Sequence, residues 1–138
     1  MPYGDDATIR RILSHRTWAV VGLSTNSHRA AFGVAAHLQQ LGKRIVPVHP
    51  RAETVHGEVG YLTLADIPFP VDVVQVFVNS AKAGAIADQA VQIGAKAVWC
   101  QLDVIDLDAY ERTTAAGLDM VMDRCAAVTM QRMSLTSA

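Results

Sequence analysis

The stretch Trp18-Ala19-Val20-Val21-Gly22-Leu23-Ser24, continuing through Arg29 to Gly33-Val34, constrains this chain more than any other. An apolar, β-rich run ends in a glycine, passes through a small polar loop and enters a helical pattern. Strand, tight turn and helix in that order leave free backbone N–H groups and the positive end of a helix dipole at a sheet edge. That arrangement suits the phosphate of a nucleotide. It says much less about a reaction.

The rest of the chain continues the same alternation. Asp5 to Leu13 reads as a short helix with acidic residues at its start and Ile9, Ile12 and Leu13 at helical spacing. Thr17 to Gly22 is a strand without polar alternation, as strands buried on both faces of a parallel sheet are. Ala30 to Leu41 is helical and stops at Gly42. Arg44 to Val48 is the second strand, in which Pro47 cannot donate to a ladder and suits an irregular or terminal position. Between Arg51 and Pro70 the pattern predicts a loop, a short strand near Val59–Tyr61 and one helical turn at Thr63–Ile67. A strand at Val71–Val78, a helix at Ala81–Ile93, a strand at Lys96–Cys100, a helix at Asp106–Ala116 and a strand at Met120–Met122 follow. A closing turn at Val128–Met133 precedes a frayed Ser/Thr/Ala tail. The expectation is an α/β fold: a doubly wound, mostly parallel sheet of five to six strands with helices on both faces.

Composition narrows the class. With 138 residues, 51% of them hydrophobic, the chain is expected to form one domain over 1–138. A net charge of −1 excludes the broad basic footprint of a nucleic-acid binder. No apolar run reaches membrane-spanning length, and Met1 to Asp6 lacks the pattern of a signal peptide. Two cysteines, Cys100 and Cys125, are too few for a disulfide framework and read as reduced thiols. A cytoplasmic protein with no membrane or nucleic-acid partner is expected.

The loop itself departs from a dinucleotide fingerprint, because only Gly22 and then Gly33 stand where Gly-x-Gly-x-x-Gly would be required. Ser24, Thr25, Asn26, Ser27, His28 and Arg29 supply donors instead, and Arg29 can grip a phosphate with two N–H groups. An ordinary polar connection is the alternative. After the second strand the chain reads Val48-His49-Pro50-Arg51, with no acid before Glu53. NAD binders place a carboxylate there for the ribose, so the reading favours a nucleotide with an extra ribose phosphate. NADP and coenzyme A both meet that description, and a plain surface role for Arg51 stands beside them.

Ala19-Val20-Val21-Gly22-Leu23-Ser24, Arg29, Gly33-Val34, Val46-Pro47-Val48-His49-Pro50, Asp66-Ile67-Pro68, Pro70-Val71-Asp72, Ile93 to Trp99 and Val121 to Cys125 occur in this order. Together they resemble the small stand-alone CoA-binding proteins of the YccU-like type, which are similar to the CoA-binding domain of the succinyl-CoA synthetase α subunit. The resemblance spans about residues 17–133. It implies a Rossmann-like domain with coenzyme A at the C-terminal ends of the strands. Gly22, Leu23, Ser24, Thr25, Arg29, Gly33 and Val34 would then hold the pyrophosphate. Pro50 and Arg51 would lie beside the adenosine and its 3′-phosphate, and Phe77, Val78 and Asn79 would flank adenine or pantetheine. Three positions depart from the family: His49 for a usual Asn, Val78-Asn79 where Arg is common, and Asp103 for a usual Gly.

No catalytic residue emerges. The five histidines show no metal spacing, and no carboxylate pair reads as acid and base. Cys125, beside Arg124, could be an activated thiol; packed, inert cysteines are the simpler reading of both. Trp99 reads as core, and Tyr61 and Asp66 as packing and capping. The expectation is a CoA or acyl-CoA binding protein without chemistry of its own, acting as carrier, sensor or partner of an acyl-CoA enzyme. An NADP-binding oxidoreductase-like protein is the alternative. On this placement a bulky residue at Gly33 should reduce CoA affinity by crowding the helix start.

Overall fold

The computed structural model describes residues 4–137, so Met1 to Tyr3 and Ala138 lie outside the described residues. The strands are β1 (Thr17–Val21), β2 (Arg44–Val48), β3 (Val73–Val76), β4 (Ala97–Cys100) and β5 (Asp119–Val121). The helices are α1 (Asp6–Leu13), α2 (Ala30–Gln40), α3 (Ser80–Gln92), α4 (Leu107–Ala115) and α5 (Ala126–Ser137), with a 3-10 turn at Leu64–Asp66. One sheet orders the strands β2-β1-β3-β4-β5, and every neighbouring pair is parallel. This is the expected Rossmann-like, doubly wound α/β architecture, with five strands.

The strands are buried on both faces because side chains alternate between two cores. Ala19, Val21, Val46, Val48, Val74, Val76, Val98 and Cys100 join Ala83, Ala87 and Ala90 of α3 and Ala109 of α4 on one face. Trp18, Val20, Ile45, Val73, Ala97 and Trp99 join residues of α1, α2 and α5 on the other. The two tryptophans meet there with ring centroids 6.0 Å apart. Their indole N–H groups donate to the carbonyls of His15 and Arg124. Trp99 is therefore a core residue.

Pro47 sits in the middle of β2 without interrupting the ladder. Arg44 N–H donates to Arg16 O and Gly22 N–H to Val48 O, so the even-numbered residues of β2 face β1. The proline ring nitrogen points to the open side of this edge strand, where no donor is needed. On that side Tyr61 N–H donates to Pro47 O and His49 N–H to Tyr61 O. The short strand expected near Val59–Tyr61 is only an isolated bridge to Val48. The closing helix, in contrast, begins at Ala126 and runs to Ser137, well beyond the turn and frayed tail expected.

Among the described residues no helix is long and apolar enough to cross a membrane.

Candidate functional site

The winding reverses between β1 and β3, because β2 lies on one side of β1 while β3, β4 and β5 continue on the other. A reversal of this kind opens a crevice at the C-terminal strand ends. A cavity of about 810 Å³ lies there, floored by Val21, Gly22, Val48, Phe77 and Val78. Gly22 makes the strand ends meet closely. Its φ of +102° lies in the left-handed region, and a Cβ would stand 3.2 Å from that of Phe77.

The β1–α2 loop forms one wall, with Ser24, Asn26, His28 and Arg29 lining the cavity. Local polar bonds set its shape: Asn26 N–H donates to Ser24 Oγ, and His28 N–H donates to Asn26 Oδ1. Arg29 is the N-cap residue of α2, but no side chain caps that helix. Ala30 and Ala31 of its first turn also line the cavity. α3 likewise starts without a side-chain cap at Asn79, and its Lys82 reaches the same cavity. By contrast, Asp5 and Asp106 cap α1 and α4 through their carboxylates. The uncapped starts of α2 and α3 lie beside the cleft, and their free N–H groups and dipoles favour an anion there.

Charge agrees with that direction. Arg29, Arg51 and Lys82 line the cavity and no Asp or Glu does. None of the three takes part in an ion pair among the described residues. Glu53, the first carboxylate after β2, is turned to the loop instead, accepting from Thr25 N–H and Thr25 Oγ1. A ribose-binding carboxylate at the end of β2 is absent from the lining.

Of the residues expected at the site, Gly22, Ser24, Arg29, Pro50, Arg51, Phe77 and Val78 come together around the cavity. Leu23 and Val34 are packed in the core beneath the loop, and Thr25 is held by Glu53. Asn79 starts α3 outside the lining. Gly33 lies outside the lining, and no protein atom stands within 4 Å of an added Cβ there. Sequence reasoning missed Lys82, Gln101 and the apolar rim formed by Leu62, Ile86, Leu102 and Val104. Only the parallel order of the strands brings these to one edge.

Neither cysteine lines the cavity. Cys100 is buried, and burial pushes its thiol up to about 12, with the Asp106 carboxylate adding to the effect. Cys125 is partly buried against the α5 side of the core.

A CoA binding domain family matches residues 16–131. The chain is 31% identical over 120 residues to YneT of Bacillus subtilis, covering 86% of this chain and 89% of that protein. A solved hypothetical protein from Pyrococcus horikoshii superposes with a TM-score of 0.89 at 33% identity, covering 96% and 94% of the two chains. A protein of Thermus thermophilus gives 0.87 at 30% identity, with 94% and 98% covered.

Proposed function

Because the chain belongs to the CoA binding domain family, we propose that it binds coenzyme A or an acyl-CoA in the cleft between β1 and β3. One observation carries this reading: an uncapped helix start opens into a cleft lined by Arg29, Arg51 and Lys82 and by no carboxylate. Such a site attracts a ligand with several phosphates at one end.

In the bound state Ser24, Arg29 and the first turn of α2 hold the pyrophosphate. Gly22, Leu23, Thr25, Gly33 and Val34 shape the loop and helix that present these groups. Arg51, next to Pro50, takes the 3′-phosphate, and Phe77 and Val78 flank adenine or pantetheine beside Asn79. No residue is assigned to catalysis. The protein acts in the cytoplasm as a single domain that carries or senses CoA, or hands it to an acyl-CoA enzyme.

NADP is the second reading, since its ribose phosphate would suit Arg51 equally well and β2 ends without a carboxylate for NAD. Thermal melting with CoA, acetyl-CoA, dephospho-CoA, NAD and NADP separates the two. A ligand at a hundred times its dissociation constant adds about 2.7 kcal/mol, which raises the melting temperature of a domain this size by several degrees. CoA and acetyl-CoA are expected to give that shift, dephospho-CoA a smaller one and NAD none. A shift with NADP alone would transfer the site to the second reading.

A further inference from the structure

The cleft changes character along the sheet edge. Arg29 and Arg51 follow β1 and β2, whereas the polar side chain at the end of β4 is Gln101, which carries no charge. Gln101 is 8% exposed and lines the cleft, and its backbone N–H donates to Val76 O. Behind it, in the middle of β3, lies Gln75, fully buried. Gln75 Nε2 donates to Gln101 Oε1 at 3.3 Å, and Gln75 Oε1 has no partner. Among the described residues no hydrogen bond uses Gln101 Nε2.

Packing does not account for these two residues. All the other β3 and β4 residues are apolar and buried, and a buried amide without its full set of partners costs free energy that Leu or Met would not. The one bond between them leaves Gln75 Oε1 unpartnered in the core and Gln101 Nε2 unused on the residue that lines the cavity. Gln75 fixes where the Gln101 amide lies, and Gln101 still has a hydrogen-bonding group to spend.

We propose that Gln101, positioned by Gln75, recognises an amide in the uncharged tail of the ligand. This rests on the CoA reading above, in which that tail is the pantetheine arm with its two amides. A secondary amide carries both a donor and an acceptor, so it complements the Gln101 side chain in either orientation of the pair. β4 lies two strand spacings from β1, about 10 Å, on the side away from Arg51. An arm leaving the pyrophosphate at the β1–α2 loop and running across β3 passes Gln101. Val78, Ile86 and Leu102 give that path apolar walls.

The test is calorimetric titration of CoA and of 3′-phospho-ADP, which is CoA without its arm, into wild type, Gln75→Met, Gln101→Met and the double variant. Gln101→Met should weaken CoA about fivefold to tenfold, the loss of one hydrogen bond, and leave 3′-phospho-ADP unchanged. Gln75→Met should weaken CoA selectively as well, by releasing the Gln101 amide. The double variant removes both amides together and leaves neither unpaired in the core; if a single variant does not melt cooperatively, it is read in that variant's place. Unchanged CoA affinity, or equal losses for both ligands, would overturn the assignment. If wild type binds 3′-phospho-ADP as tightly as CoA, the arm makes no net contact and Gln101 loses its role while the CoA reading stands. If wild type binds neither, both readings fall.

Discussion

His49 and Asp103 keep backbone devices that the residue types usual at their positions would provide. His49 Nδ1 accepts from Arg51 N–H, the bond an Asn side chain makes to the residue two ahead of it. Asp103 adopts a φ of +67°, the left-handed conformation that a Gly would enter freely and that Asp tolerates better than most. Both departures therefore preserve the turns at the cleft edge. The first of them orients Arg51, whose replacement gives a sharp prediction. Arg51→Ala should weaken CoA by about tenfold or more, the scale of a charge-assisted hydrogen bond, and leave dephospho-CoA unchanged in parallel titrations. Equal losses would remove Arg51 from the 3′-phosphate. Cys100 makes a different prediction. Its thiol is raised from 9.0 to about 12 in the fold, so the unfolded chain gives up this proton first as pH rises. The stability it contributes is complete below pH 9 and is lost as pH climbs toward 12. Melting curves across that range should fall less steeply for Cys100→Ala than for wild type, and Cys100 should resist alkylation until denaturant is added.

At the scale of elements, two helix glycines that look alike in sequence have opposite roles. Gly33 in α2 has nothing within 4 Å of an added Cβ. Gly33→Ala should stabilise the protein by about 0.5–1 kcal/mol through helix propensity alone, read as a higher denaturation midpoint. Gly84 in α3 lies where an added Cβ would come within 2.7 Å of Arg112 Nη2 and 2.8 Å of Asp106 Oδ2. Gly84→Val should cost about 1–3 kcal/mol, because it forces α3 and α4 apart and disturbs the carboxylate that caps α4. Element boundaries followed local chemistry closely. Asp5 and Asp106 cap α1 and α4, and Gly42, Gly94 and Gly117 take positive φ where the helices end. The closing helix extends past the expected Val128–Met133 turn; Ala126 to Ser137 carries few strong periodic cues to mark its full length. Packing of Ala126 and Met130 against the sheet adds what the local pattern lacks.

For the whole molecule, the site exists because the winding reverses at β1. The loop after β1, the ends of β2 and β3 and the start of α2 converge only in that strand order. The sequence alone determined the alternation of elements, the burial of strands on both faces, the polar loop between β1 and α2 and the missing carboxylate directly after β2. These are local properties: side-chain period, turn chemistry and residue charge within a few positions of one another. Tertiary structure decided the rest. It set Pro47 on the open side of an edge strand and turned Glu53 to Thr25. It also placed Lys82 and Gln101 in a cleft with Arg29, from positions 53 and 72 residues further along the chain. Such neighbours share no period or motif. Parallel pairing joins residues far apart in sequence, and only the packed sheet fixes which strand ends stand side by side.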